Sequence, residues 1–96
     1  MQVVVTYDVN TTTKAGRARL RKVAQVCQDY GQRVQLSVFE CTVSEMKLEE
    51  LLAHLSAVID IKADGVRVYR LPGGRDRLVT VIGRDGYVDF SAPLVL

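Results

Sequence analysis

The chain has no tryptophan, one histidine, two cysteines and two prolines in 96 residues, and aromatic residues make up only 6% of it. The lone histidine, His54, leaves a zinc site without its usual set of several Cys or His ligands, and makes a histidine general base a poor expectation. Cys27 and Cys41 show no C-x-x-C spacing. They read as buried thiols in a reducing compartment rather than as a disulfide or metal pair. No apolar run approaches the roughly 20 residues that cross a bilayer, and the start MQVVVTYD carries no basic leader. The expectation is a soluble, cytoplasmic protein of one small domain. The phosphate-loop pattern GxxxxGK[ST] is also missing, so Pro72, Gly73 and Gly74 with Arg75 and Arg77 read as a hairpin tip rather than a nucleotide loop.

What the chain does have is segregated charge. The formal net charge is only +2. From Lys14 to Arg33, however, Lys14, Arg17, Arg19, Arg21, Lys22 and Arg33 face Asp29 alone. From Glu40 to Asp64, the acids Glu40, Glu45, Glu49, Glu50, Asp60 and Asp64 outnumber Lys47 and Lys62. Such a split fits a surface for a polyanion opposed by an acidic one, although single-sign helix faces are often simply solvated.

Hydrophobic periodicity sets out the elements. Val3 to Val9 is short and β-branched, a central strand, with Thr11 to Gly16 as the loop that follows. Leu20, Val23, Ala24, Cys27 and Tyr30 recur at helical spacing and predict an amphipathic helix from Arg17 to Tyr30, stopped at Gly31. Arg33 to Cys41 alternates as a half-buried strand, with Val34, Leu36 and Val38 on one face and Gln35, Ser37 and Phe39 on the other. Ser44 is placed to cap a second helix whose buried stripe is Leu48, Leu51, Leu52, Leu55 and Val58, ending near Ala63 to Gly65. Val66 to Leu71 and Leu78 to Ile82 read as a hairpin around Pro72 to Gly74, and Tyr87 to Phe90 as a last short piece.

Taken literally, that order is strand, helix, strand, helix, strand, strand. The stretch Arg33 to Val43 exceeds the usual strand of about five or six residues and can bend into two pieces. The fold class is then α+β, a ferredoxin-like two-layer sandwich with a small antiparallel sheet and two helices on one face. The expected organisation is a ferredoxin-like domain over 1–83 and a C-terminal strand extension over 84–96. The second sheet face needs cover, and a homodimer packed through its sheets would supply it. The apolar residues of the extension suggest a strand added to an open edge of the dimer mate or of a partner.

The strand VVVTYDV, the helix RLRKVAQVCQDYG, the run YGQRVQLSVFEC and the later VRVYRL and VTVIG resemble the CRISPR-associated Cas2 family over nearly the whole chain. One departure is NTTTKAGRA, Asn10 to Ala18, longer and richer in threonine than the family pattern. The resemblance implies a small ferredoxin-like homodimer that works with the Cas1 integrase in acquiring CRISPR spacers. It also implies metal-dependent nuclease activity on RNA or double-stranded DNA, with the metal-binding aspartate at Asp8.

Asp8 ends the first apolar strand, where a carboxylate can face solvent and hold an ion, or can cap the turn into Thr11 to Thr13 through an Asx bond. One carboxylate alone is a poor Mg²⁺ site, since that ion takes one or two carboxylates with water and phosphate; a two-fold axis would bring a second Asp8. Tyr7 points to the opposite face and reads as a core or interface residue. Arg17, Arg19, Arg21, Lys22 and Arg33 are the expected phosphate contacts, without base specificity. Phe39, Tyr87, Val88 and Phe90 are expected at the dimer interface. The functional expectation is thus duplex DNA binding and bridging of integrase subunits, with Mg²⁺-dependent phosphodiester hydrolysis at Asp8. The alternative is a small-molecule-sensing regulatory domain on the same fold.

Overall fold

The computed structural model describes residues 1–88. Its elements are β1 (Gln2–Asp8), α1 (Lys14–Tyr30), β2 (Gly31–Gln35), β3 (Val38–Thr42), α2 (Glu45–Val58), β4 (Gly65–Leu71) and a single-turn α3 (Arg75–Leu78). The four strands form one sheet in the order β2-β3-β1-β4, and every neighbouring pair is antiparallel. Strand, helix, strand, strand, helix, strand with that order is the ferredoxin-like arrangement. It comes about because Arg33 to Val43 does bend: Leu36 and Ser37 form a tight turn between β2 and β3, and Leu36 is 86% exposed there instead of lying on a buried strand face.

Period-two alternation in β1 sends Val3, Val5 and Tyr7 into the core and leaves Gln2, Val4 and Thr6 on the other face. Val3 lies opposite Cys41 and Val5 opposite Phe39. These side chains meet Val23 and Cys27 of α1 and Leu48, Leu51 and Leu55 of α2 in one apolar cluster. Each full burial of a side chain this size stabilises the fold by roughly 1.5–3 kcal/mol. Leu52, expected in the α2 stripe, is 38% exposed and lies off it. The Ser44 cap is as expected, its hydroxyl accepting from the Lys47 N–H.

Two boundaries differ from the sequence expectation. Helix α1 starts at Lys14, not Arg17, because the Thr13 hydroxyl accepts from the Gly16 N–H and opens the helix a turn early. Gly16 is needed there: a Cβ would collide with the Asn10 carbonyl, which folds back over the first turn. The chain then passes from α1 into β2 with no loop at all. Gly31 is not a left-handed helix cap, for its φ is −166°; it is glycine because a Cβ would fall 2.4 Å from the Glu40 carbonyl oxygen and 2.5 Å from the Cys41 sulfur on β3.

The expected Leu78–Ile82 strand is absent. Gly73 and Gly74 take φ values of 96° and 91°, which suit glycine, and turn the chain into α3 rather than back along β4. Residues 79–88 then cross the sheet face that the helices leave bare, where Val79 and Val81 approach Val4, Val34 and Val38. Arg75 fastens this segment. Its guanidinium lies 2.6 Å from the Glu40 carboxylate and 2.8 Å from that of Asp85, and 3.8 Å over the Tyr87 ring. Gln32 on the edge strand β2 pairs with both backbone groups of Val88, at 2.7 and 2.9 Å. Among the described residues, the chain itself therefore covers the β2, β3 part of the open face as far as Val4 of β1, and leaves the β4 side uncovered. Phe90, like the rest of 89–96, lies outside the described residues.

Candidate metal and nucleic-acid site

Asp8 is the last residue of β1 and is exposed. It stands opposite Gly65 of β4, where a Cβ would meet nothing within 4 Å. The carboxylate therefore borders open solvent on the bare half of the sheet. The turn-capping alternative is taken by a different residue. The Asn10 side-chain oxygen accepts from the Thr12 N–H at 2.9 Å and from the Thr12 hydroxyl at 2.6 Å, so the Asx turn leaves Asp8 unused. Asp8 and its surroundings form a cleft of about 550 Å³ bordered by Thr6, Gly65, Arg67 and Tyr69.

The donors fit a hard cation only in part. Among the described residues no three His, Cys, Asp or Glu side chains gather as a metal cluster. One chain offers a single carboxylate. That suits Mg²⁺ held with water, phosphate and a second carboxylate from another copy.

The predicted basic residues do not act as one group. Arg17, Arg21 and Lys22 are exposed on α1, and Lys14, assigned to a loop by sequence, joins them in the first helical turn. Lys14, Arg17 and Arg21 follow one another at three- and four-residue spacing and so lie on one face. The first turn has no acidic residue, so these cations add to the positive end of the helix dipole instead of opposing it, an arrangement that costs helix stability and strengthens attraction for anions. Arg19 is committed elsewhere. Its guanidinium lies 2.8 Å from the Asp64 carboxylate, whose side chain has no accessible surface. Asp64 also accepts from the Asn10 N–H at 3.0 Å and the Asp60 N–H at 2.9 Å. Its pKa falls to about 2, chiefly through the Arg19 hydrogen bond and then the Asp60 N–H. Arg33 is exposed on β2, with its guanidinium 5.3 Å from the Phe39 ring centroid.

Phe39 corrects the interface expectation: it is 0% exposed and stacks with Tyr7 at 6.2 Å on the helix side of the sheet. It has no surface to offer a second copy. Tyr7 is a core residue whose hydroxyl donates to the Leu36 carbonyl at 3.2 Å. Tyr87 is half-buried against Arg75, and Val88 is 52% exposed. Glu40 and Asp64, counted with the acidic segment, are internal carboxylates matched to Arg75 and Arg19. The acidic face is narrower than the sequence suggests. No described helix is long and apolar enough to cross a membrane.

Sequence reasoning gave Arg67 and Tyr69 no place at the site. The signal was present in VRVYRL, where Val66 and Val68 alternate toward the core and Arg67 and Tyr69 away from it.

Residues 1–78 match the family model described as CRISPR associated protein Cas2. The chain is 52% identical over 96 residues to a CRISPR-associated endoribonuclease Cas2 of Moorella thermoacetica, covering all of both chains. It is 46% identical over 95 residues to a CRISPR-associated endonuclease Cas2 of Halalkalibacterium halodurans, covering 99% of each. A crystal structure of Streptococcus pyogenes Cas2 at pH 6.5 superposes with a TM-score of 0.77 and 52% identity, over 86% of this chain and 100% of that one. With the ferredoxin-like topology and these matches, this chain belongs to the CRISPR-associated Cas2 family.

Proposed function

We propose that the protein is a homodimeric adaptation subunit that binds duplex DNA and bridges Cas1 integrase subunits during spacer acquisition, with Mg²⁺-dependent phosphodiester hydrolysis at paired Asp8 carboxylates as a second activity. The observation that carries the reading is the exposed Asp8 at the end of β1, opposite a glycine and on the uncovered half of the sheet. An uncovered sheet face suits a second copy, which would bring two such carboxylates together. Residues 84–96, with Tyr87, Val88 and Phe90, extend the dimer contact in this reading. The names of the relatives, endoribonuclease and endonuclease, support phosphodiester chemistry on RNA or DNA.

Each part of the chain has a distinct task. Lys14, Arg17, Arg21 and Lys22 draw in and hold the phosphate backbone through sequence-independent charge. Asp8 holds the cation, which when bound supplies a Lewis acid for the phosphoryl oxygen and an acidified water. Arg19 fixes the loops around the site instead of touching the ligand. Asp8→Asn keeps the shape and removes the charge, so Mg²⁺-dependent cleavage should vanish while duplex binding persists. Undiminished cleavage by the purified Asp8→Asn dimer would remove the metal role. Loss of spacer acquisition in cells carrying Asp8→Asn would tie that role to adaptation, and retained acquisition would leave the architectural role alone.

A further inference from the structure

The β1–β4 ladder ends at the pair Asp8 and Gly65, and a strand end with no further rung is the first part of a sheet to fray. Here a side chain supplies the next rung. The Asp64 carboxylate, one residue before Gly65, accepts the Asn10 N–H at 3.0 Å through Oδ1, two residues past Asp8. Its Oδ2 accepts the Asp60 N–H at 2.9 Å. The Arg19 fork spans both oxygens, Nε to Oδ2 at 2.8 Å and Nη2 to Oδ1 at 3.4 Å. The turn that carries Asp64 is closed in its own right, with the Ala63 and Asp64 N–H groups donating to the Asp60 carbonyl at 3.0 and 2.8 Å. These bonds all go to α1 or to connecting loops, so the network stays clear of the sheet face that a second copy would cover. The Asp64 side chain has no accessible surface. An ion pair this buried seldom stabilises more than apolar packing of the same volume, so fixed geometry is the better account of it.

We propose that Asp64 is a positioning residue for Asp8: by holding Asn10 against the Arg19 fork it fixes the end of β1, and with it the direction in which the Asp8 carboxylate meets a cation. With the Asx turn made by Asn10, the Asp8 side chain has no partner of its own among the described residues, so only its backbone can aim it. A ligand that must first be ordered binds more weakly than one already in place. Asp64 touches neither cation nor nucleic acid, since both its oxygens are taken up by N–H donors of the chain. Groups that orient a metal ligand from behind commonly change metal affinity about 10–100-fold when removed. The role toward the cation rests on the Asp8 reading, whereas the hold on the strand end does not.

The test uses the purified full-length protein at neutral pH, at concentrations where sedimentation shows the dimer and at a temperature where circular dichroism shows each variant folded. Mn²⁺ stands in for Mg²⁺, and the electron paramagnetic resonance signal of the free ion gives its affinity for wild type, Asp64→Asn, Arg19→Lys and Asp8→Asn. Hydrogen exchange is read at the amides of 8–10 and at those of α2. Asp64→Asn should weaken Mn²⁺ binding about tenfold or more, leave duplex binding in EDTA unchanged, and speed exchange at 8–10 more than in α2. Arg19→Lys, which keeps the charge and loses the fork, should fall between it and wild type, and decides the matter if Asp64→Asn does not fold. Wild-type Mn²⁺ affinity in the folded variant would mean a merely structural bond and would overturn the proposal. If Asp8→Asn binds Mn²⁺ as wild type does, or wild type binds none, the Asp8 reading falls and exchange alone decides: unchanged rates at 8–10 overturn the positioning, and selective acceleration there upholds the hold on the strand end.

Discussion

Arg19 and Asp64 form an ion pair with Nε and Oδ2 2.8 Å apart, and the same carboxylate accepts the N–H groups of Asn10 and Asp60. One side chain thereby ties the β1–α1 loop, the body of α1 and the α2–β4 loop together, immediately beside the strand ends that carry Asp8 and Gly65. The relationship makes Arg19 a part of the scaffold.

Asp64 predicts a pH dependence. Its pKa is lowered to about 2, first by the Arg19 hydrogen bond, against about 3.9 in an unfolded chain. A carboxylate with a depressed folded pKa adds stability that is complete above the unfolded value and disappears as pH falls through the folded one. Acid unfolding followed by circular dichroism should therefore steepen between about pH 4 and pH 2, and Asp64→Asn should flatten that window while lowering stability at neutral pH. An unchanged acid limb in Asp64→Asn would show that the ion pair contributes nothing.

The basic face separates from Arg19 in salt dependence. Each lost phosphate contact should reduce the duplex-binding salt slope by roughly 0.9. Arg17→Ala, Arg21→Ala and Lys22→Ala combined should weaken binding at every sequence and flatten the slope. Arg19→Ala should lower Tm and leave the slope nearly unchanged. Equal slopes in wild type and the triple variant would mean a merely solvated helix face.

Phe39 distinguishes core from interface. Truncation of a wholly buried phenylalanine costs about 3–5 kcal/mol, so Phe39→Ala should lose that much in urea denaturation at protein concentrations where only monomer is present. An effect seen only in dimer dissociation would place Phe39 at the interface after all.

The two thiols should be inert. Burial raises Cys27 to about 12 and Cys41 to about 11, and the thiolate is the reactive form. At pH 8, iodoacetamide should label neither in the folded protein and both in guanidinium. Rapid native labelling of either would contradict the packing around β3.

Arg75 offers a further check. Removing one partner of a buried pair costs about 3–5 kcal/mol, so Arg75→Ala, which leaves Glu40 buried and unpaired, should lose stability of that order. It should also speed hydrogen exchange across residues 79–88 more than in α2. Uniform exchange changes throughout would show that the segment does not depend on this contact.

The sequence made some of this legible and hid the rest for physical reasons. The α1 and α2 stripes and the alternation in β1 were readable because each is set by neighbours three, four or two positions away. Bonds between distant residues left no local trace. Asp64 lies 45 positions from Arg19, and Glu40 lies 35 from Arg75, so both arginines looked like surface charge. The start of α1 was missed because Lys14, Ala15 and Gly16 add nothing to the apolar stripe, and Gly16 looks like loop although it answers to the Asn10 carbonyl. The Leu78–Ile82 strand was expected from its run of apolar residues, which does not say what surface they meet: Ile82 is 96% exposed. The exposed position of Asp8 at the end of β1 was readable because a strand end is a local property, whereas its placement opposite Gly65 needed the register.

The loopless junction at Gly31 also limits how this chain can vary. Helix α1 carries the basic face and β2 is hydrogen-bonded into the sheet that ends at Asp8, so the two surfaces are joined by a rigid coupling without slack. A single inserted residue at that junction would turn the helix by about 100° relative to the strand or exchange the two faces of β2. Length changes in relatives should therefore fall in the Asn10–Thr13 and Ile59–Asp64 connections. The angle between the basic helix and the strand that ends in Asp8 is one the protein can alter only by rebuilding both.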